Sequence, residues 1–444
     1  MSGRSVSSAF LSLLIAGVIG GSSSERSPKY PTAQEQLPRY DVWERFVGIT
    51  TLDATLPWLD HSQWLNKCDL NLGPPACKST NVDPQLLGQQ PQLSNKGLAK
   101  GAALAVGLRA ASVFYDAQYA APFIKNASCN AVESKASCQC TGELGNSDTL
   151  DCFAKARHAI LAMPGTPEPD IDFPPNSIAI KAIWEVLLDD RGQIKVSADA
   201  NNSNVPRKQV NGDFIQQPVE SWPSAGTGAM VDISNSSCDD RDYAAADKIP
   251  LGCFYSIAYK GTEPDVSNLK SGSEGNAINH YGIVAGRPFH LVLVGLHMAI
   301  KDRPEWTWAT FWWTLKRNSP PTGRPSTPRQ KHFAWDVTQS AELTNGLPQS
   351  CYNPYLELAH TNGNLSNCLY CHRRAVYVPG ARPGSSTTAL GFLRAASFGV
   401  KAPATDTIDF HGGVRTGFLW SVADHQFADT DNTFKQTIRG IKIP

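Results

Sequence analysis

The alternation of apolar and polar residues predicts strands over much of the chain after residue 170. Between residues 177 and 188 every second position is apolar, with Lys181 and Glu185 on the other face, which is typical of a half-buried strand. Residues 288–300 contain a run that is apolar on both faces, which predicts a strand at the centre of a sheet. Further strands are predicted at 193–198, 253–259, 306–313 and 416–421.

Helices are predicted mainly before residue 165. An Ala-rich segment without internal proline predicts a helix over 96–123, and 149–163 predicts another that ends at Pro164-Gly165. A further helical turn is predicted around 43–47. Segments rich in Ser, Asn, Gly and Pro predict surface loops, at 200–225, 262–280 and 316–330. We therefore predict an α+β fold, with a β-rich core, early helices and long loops.

The N-terminus has the pattern of a signal peptide over residues 1–24. Arg4 precedes an apolar run at 9–19, and small residues follow it as a cleavage region. The run is shorter than the ~20 residues that span a bilayer, although an uncleaved anchor is the alternative. We expect a periplasmic or otherwise exported protein without stable membrane insertion after cleavage. The mature chain then divides into an irregular, partly helical region (25–165) and a β-rich region (166–444), or forms one continuous domain.

Composition narrows the possible functions. The chain has 444 residues, 41% of them hydrophobic, so it can bury a sizeable core. Its 40 Lys and Arg balance 40 Asp and Glu, which argues against a dedicated nucleic-acid binder because such proteins carry excess basic charge.

The 11 cysteines fall into groups by spacing. We predict structural disulfides within three groups, since disulfides persist in exported proteins. These groups are Cys68 with Cys77; Cys129, Cys138, Cys140 and Cys152; and Cys238 with Cys253. The middle group allows three pairings. Cys351 is then left over, either as a buried thiol or as a partner of one of the middle group.

Cys368-Leu369-Tyr370-Cys371-His372 forms the C-x-x-C-H motif of covalent haem attachment. Two thiols at this spacing can add to the two vinyl groups of one porphyrin, and the following histidine can bind the iron axially. The competing interpretations are half of a zinc site, a thioredoxin-like redox pair, and a plain disulfide beside a histidine. A second C-x-x-C and a βαβ pattern are both missing from the sequence, and the export signal favours haem. We predict one covalent haem c, with His372 as its proximal ligand.

The sequence constrains the second axial ligand of the iron less than the first. None of the four methionines follows His372, so a downstream methionine ligand is excluded. The remaining candidates are His411, His425, His297, Met298 and Met163, or an open coordination position. His297 and Met298 are neighbours on a predicted strand and so point to opposite faces. We favour His297, because an imidazole in an apolar strand needs a partner.

Two flanking features have both a functional and an ordinary interpretation. The aromatic run at 306–313 is interpreted as core packing, with a wall that excludes water from a haem face as the alternative. Arg373 and Arg374 follow the motif and are interpreted as a solvated pair, with pairing to haem propionates as the alternative.

The motif at 368–372 resembles that of the c-type cytochromes. More narrowly, the chain resembles a group of large exported bacterial monohaem cytochrome c-like proteins of unassigned activity. The resemblance is strongest in LVGLHMAIKDRPEWTWATF (293–311) and CHRRA (371–375), and weaker in IAIKAIW (178–184) and FLWS (418–421). That group typically has an acidic residue and a histidine after Thr310-Phe311, where this chain has Trp312 and Trp313. The resemblance implies haem and export but no substrate, and its Gly295-Leu296-His297 match supports His297.

We thus expect an exported monohaem c-type cytochrome that transfers electrons to a redox partner, whose identity the sequence does not reveal, rather than an enzyme. A haem enzyme or small-ligand binder with an open sixth position is one alternative. A haem-free, disulfide-rich secreted binding module is the other.

Overall fold

Strands dominate the part of the chain that the structure, a computed structural model, describes. The described residues are 39–50, 64–66, 69–70, 72, 109–128, 140–161, 171–189, 192–197, 207–210, 213–216, 227–259, 287–318, 326–339, 343–344, 347–348, 351, 353–355, 368–372, 375–377, 379, 414–417 and 419. All of them fall in one compact unit, Gln36–Pro444. The predicted signal peptide lies outside these residues.

The helices are α1 (Arg39–Thr50), α2 (Ala120–Lys125), α3 (Ser147–Leu161), α4 (Pro328–Lys331) and α5 (Cys368–His372). The strands up to residue 216 are β1 (Trp64–Asn66), β2 (Arg109–Asp116), β3 (Ala127–Ser128), β4 (Thr141–Gly142), β5 (Ile178–Leu188), β6 (Gln193–Val196), β7 (Arg207–Val210) and β8 (Asp213–Gln216). The later strands are β9 (Thr227–Asp232), β10 (Lys248–Pro250), β11 (Ser256–Tyr259), β12 (Phe289–Ile300), β13 (Thr307–Trp313), β14 (Phe333–Thr338), β15 (Leu343–Thr344), β16 (Leu347–Pro348), β17 (Val376–Tyr377) and β18 (Val414–Arg415).

The main sheet runs in the order β1-β2-β5-β12-β13-β14, and β11 pairs with the first half of β12. Every pairing in it is antiparallel. The predicted central position of the apolar strand is confirmed, because β12 has β5 on one side and β11 and β13 on the other. Strands from both predicted regions meet in this sheet, since β2 lies before residue 165 and β5 after it.

A smaller sheet in the order β10-β9-β6 joins the main one through a bridge between Ser197 and Thr314. Short two-stranded pairings complete the described β structure, namely β3 with β4, β7 with β8, β15 with β16, and β17 with β18. The described part of the chain is therefore β-rich with few helices, as the sequence predicts, and its longer helices come early.

Four predictions about local structure are wrong. The predicted surface loop at 200–225 contains the paired strands β7 and β8. Residues 109–116 of the predicted helix 96–123 form β2, because pairing with β5 outweighs the weak helical preference of an Ala-rich segment. No strand forms at 416–417 or at 419, the described part of the predicted strand 416–421. The strand at 178–188 is not half-buried: Glu185 is only 2% exposed, since β5 lies inside the sheet and both of its faces are covered.

The main sheet separates two hydrophobic cores. The first core lies under α1 and takes alternate strand residues, among them Ile180, Leu296, Met298, Ala309 and Phe311. The second core lies under α2 and α3 and takes residues of the opposite face, among them Tyr115, Ala179, Ala299 and Trp308. Around 179–180, 298–299 and 308–309 neighbouring residues enter different cores, as a period of two requires, whereas residues 291–294 of β12 all lie in the first core.

Asp116 joins the main sheet to α2 at the edge of the second core. Its carboxylate accepts backbone N–H groups of Tyr119 (2.6 Å) and Ala120 (3.2 Å) where α2 begins, and that of Ile178 (2.6 Å) where β5 begins. Asp116 is 8% exposed, so these bonds are shielded from water. One side chain therefore fixes the ends of three elements.

Replacing Asp116 with alanine is expected to destabilise the chain by at least about 2 kcal/mol, because hydrogen bonds to a charged group contribute roughly 1.5–3 kcal/mol each. The free energy of unfolding in urea measures the effect. Asp239→Ala is the control, since its ion pair with Arg241 is half-exposed at both ends and should change stability by less than about 1 kcal/mol. Equal losses in the two variants would contradict the role given to Asp116.

Candidate functional site

The C-x-x-C-H motif forms α5, a short helix that ends at His372. Cys368 and Leu369 at its start are 4% and 0% exposed and pack in the second core. The backbone of Cys371 belongs to the helix, whereas its side chain lies outside the described part of the chain. His372 is only partly buried, so the end of the motif lies near the surface.

β12 presents His297 on the same face as the second core. In the register of the sheet His297 lies between Lys181 of β5 and Thr310 of β13. The rings of His297 and His372 face each other with centroids 5.9 Å apart and planes inclined by 22°. The structure therefore brings together the two histidines that the sequence proposes as iron ligands, although 75 positions separate them.

His297 has the electrostatic character of a neutral metal ligand. Its Nδ1 is buried and makes no hydrogen bond to the described residues. Burial lowers the pKa of His297 well below its usual value of 6.5, and the nearby His372 and Lys181 lower it further. The imidazole is therefore uncharged at neutral pH and keeps a lone pair for a metal ion.

Trp308 lies beside both imidazoles. Its ring centroid is 3.9 Å from that of His372 and 6.0 Å from that of His297. The donor set of two histidines and the motif cysteines fits a haem c. A porphyrin between the imidazoles would overlap the indole, however, so binding there requires Trp308 to turn away. Core packing and a wall beside the site both apply to the aromatic run at 306–313. Phe311 and Trp313 pack in the first core, whereas Trp308 lines the site.

Cys351 lies against Cys368, a contact that the sequence does not predict. Their sulfurs are 2.6 Å apart, and the Cys368 thiol also lies 3.3 Å from the Cys351 carbonyl oxygen. Non-bonded heavy atoms normally stay about 3.5–4.0 Å apart. Both cysteines are buried, at 0% and 4% exposure. Of the two alternatives for Cys351, the structure shows the buried thiol, with Cys368 rather than a cysteine of the middle group beside it.

Hydrogen bonds to β13 hold Cys351 in this position. The amide nitrogen of Asn353 donates to the Thr310 hydroxyl (2.7 Å) and to the Phe311 carbonyl (3.0 Å). The Tyr355 hydroxyl donates to the Trp313 carbonyl (2.8 Å). Gly295 leaves room for this segment, because a Cβ at that position would lie 3.5 Å from the Asn353 amide nitrogen and 2.8 Å from Ile183 Cδ1.

Of the other proposed ligands, the structure describes only Met298. Met298 is fully buried in the first core, on the face of β12 opposite to His297, which rules it out for a metal bound by His372. Met163, His411 and His425 lie outside the described residues, as do Arg373 and Arg374.

Two of the predicted disulfides are present, Cys140–Cys152 and Cys238–Cys253. Cys68, Cys77, Cys129 and Cys138 lie outside the described residues. Cys238 and Cys253 also lie within reach of the His332 imidazole, a set that resembles a metal site. Because the two sulfurs are bonded to each other, this set offers no thiolate ligands in the structure.

His332 makes the stability of the chain depend on pH. Its Nδ1 donates to the Thr314 carbonyl (3.0 Å), while its Nε2 is buried without a hydrogen-bond partner among the described residues. Burial is the main cause that lowers the pKa of His332 below 6.5; Arg317 lowers it further, whereas the Thr314 carbonyl, Asp242 and Asp240 raise it.

We expect the wild type to lose stability relative to His332→Gln as the pH falls below about 6.5. The unfolded histidine takes up a proton there, whereas the folded one does so only at lower pH. The extra loss has a slope of at most about 1.4 kcal/mol per pH unit. Urea unfolding between pH 7.5 and 5 measures it. Parallel stability curves for the two proteins would show that His332 does not titrate differently on folding.

None of the described helices combines the length and the apolar character needed to cross a membrane. The chain matches no protein-family model, no curated protein and no solved structure.

Proposed function

We propose that the chain is an exported monohaem c-type cytochrome that transfers electrons. Cys368 and Cys371 would hold the haem through thioether bonds, with His372 as proximal and His297 as distal iron ligand. The haem supplies a one-electron redox centre, and two histidine ligands favour electron transfer over binding of small molecules.

The observation that carries this proposal is the approach of His297 to His372. A metal bound between two imidazoles separates the ligating nitrogens by about 4 Å, twice a metal–nitrogen bond of about 2 Å. The ring centroids are 5.9 Å apart, so one metal ion lies within reach of both imidazoles once the nearly parallel rings turn a nitrogen of each towards it. The uncharged state of His297 and its buried Nδ1 support the same role.

Different elements hold the two histidines of the site in place. β12 is a central strand, so the backbone of His297 is fixed by pairing on both sides. His372 ends a five-residue helix that is anchored through Cys368 and Leu369 in the second core. Both histidines keep some exposure, which leaves the site near enough to the surface for exchange of electrons with a partner protein. The two disulfides support an oxidising, exported location.

Co-expression of the full chain with a cytochrome c maturation system tests the proposal. We expect a purified protein with the added mass of one haem, an intense Soret band, and a reduced spectrum that does not change under carbon monoxide. A protein of unchanged mass without a Soret band would rule out haem. A spectrum that shifts with carbon monoxide would favour the haem enzyme or ligand binder with an open sixth position.

A haem-free, disulfide-rich secreted binding module is the second candidate. The contact between Cys351 and Cys368 favours it, because a disulfide there removes one of the two thiols needed for haem attachment. In that case the two histidines would bind no metal and would lie near a disulfide between Cys351 and Cys368. The mass of the co-expressed protein separates the two candidates directly.

A further inference from the structure

The sulfur of Cys368 lies 2.6 Å from that of Cys351, which lies 17 residues earlier in the chain. We propose that Cys351 and Cys368 form a disulfide in the chain before haem attachment, leaving Cys371 as the thiol of the motif. The bond itself does not depend on the proposed function. Its consequence does: as long as it persists, Cys368 has no thiol to add to a vinyl group.

The position of Cys351 does not depend on Cys368. Asn353 and Tyr355 attach the segment to β13 through buried side-chain hydrogen bonds. Asn353 also accepts the backbone N–H of Tyr355 (2.9 Å), which fixes the turn after Cys351. The sulfur of Cys351 is thus held in place by the fold at the point that Cys368 reaches.

Burial protects this pairing from reduction. Both sulfurs lie in the second core, where a bonded pair is sheltered from external thiols. The disulfide closes a loop of 17 residues, which lowers the chain entropy of the unfolded state and so stabilises the folded chain.

The bond forms by thiol–disulfide exchange with an external disulfide such as oxidised glutathione. A thiolate of one cysteine attacks the external disulfide and releases one thiol, and the other cysteine then displaces the second thiol. The two protein thiols lose two electrons and two protons in total, and the external disulfide gains them. Two equivalents of an external thiol reverse the step, after which Cys368 can add to a vinyl group without further change in oxidation state.

Mapping of the full-length chain, expressed without haem maturation and unfolded without reductant in excess alkylating reagent, tests the proposal. Trypsin is unsuitable, because the sequence has no Lys or Arg between Cys351 and Cys371. Cleavage after Glu357 separates Cys351 from the motif, and cleavage after Tyr370 separates Cys368 from Cys371. We expect a peptide of Cys351 linked to one of Cys368, almost no alkylation at either cysteine, and alkylation of Cys371. Alkylated Cys351, or a link between Cys368 and Cys371, would overturn it.

Two variants test the disulfide independently of whether the proposed function is correct. Cys371→Ser should keep the link to Cys351, whereas Cys351→Ser should lose it and make Cys368 reactive to alkylation. The oxidised wild type is then incubated with the haem maturation system with and without an added thiol. Haem attachment only after reduction is expected, and equal attachment without reduction would overturn the blocking role. A mapped Cys351–Cys368 link without any haem attachment would leave the disulfide standing and refute the cytochrome.

Discussion

His297→Ala is expected to convert a six-coordinate, low-spin haem spectrum into a five-coordinate, high-spin one. Loss of the imidazole removes the distal ligand, and within the described residues the structure brings no other histidine or methionine side chain against His372. The haem should remain covalently attached, because the motif cysteines are unchanged. The reduced variant should bind carbon monoxide. The visible spectrum should show complete conversion from the low-spin to the high-spin form.

Met298→Leu is the matched control for this variant. Met298 is the neighbour of His297 on β12 but points into the first core, so its replacement should leave the spectrum low-spin. A His297→Ala protein that stays six-coordinate would show that another group, such as His411 or His425, supplies the ligand. Conversion of the spectrum in the Met298 variant instead would reverse the assignment of the two strand faces.

Replacing both Cys368 and Cys371 with serine is expected to abolish covalent haem completely. Thioether formation requires thiols, so any haem that the variant keeps is held by its iron ligands and packing alone. Acidified organic solvent should extract that haem, whereas it should not extract haem from the wild type. The mass of the denatured protein measures the difference.

Cys351→Ser is the control for the double variant, because Cys351 touches the motif without belonging to it. It should keep a covalent haem after maturation under reducing conditions. If the Cys351 variant lost covalent haem while the double variant kept it, the attachment site would lie elsewhere. Haem that resists extraction from the double variant would have the same meaning.

The sequence predicts the positions of the strands more reliably than the burial of their two faces. The period of two in β5 and the apolar run of β12 identify both strands, because side chains alternate between faces whatever the topology. The burial of Glu185 could not be predicted, since it depends on the neighbouring strands and on what covers the second face. The helix predicted at 109–116 is wrong for the same reason, because the structure that an Ala-rich segment adopts depends on the strand with which it pairs.

Only part of the candidate site, likewise, could be predicted from the sequence. The spacing in the motif identifies Cys368, Cys371 and His372, and the opposite faces of His297 and Met298 follow from strand geometry. The role of Trp308 and the contact of Cys351 with Cys368 depend on how irregular segments pack against the sheet. The odd number of cysteines is the one sign in the sequence that Cys351 needs a separate explanation.

The central position of β12 has a consequence for how the chain reaches its native state. β5 pairs with β12 along its whole length, although more than a hundred residues separate the paired positions. Such non-local contacts make folding slow, because a long loop must close before the contacts form. Until β12 arrives, one edge of β5 and its apolar residues stay open to pairing with other chains. A chain of this topology therefore depends on chaperones, or on rapid disulfide formation, until β12 is available for pairing.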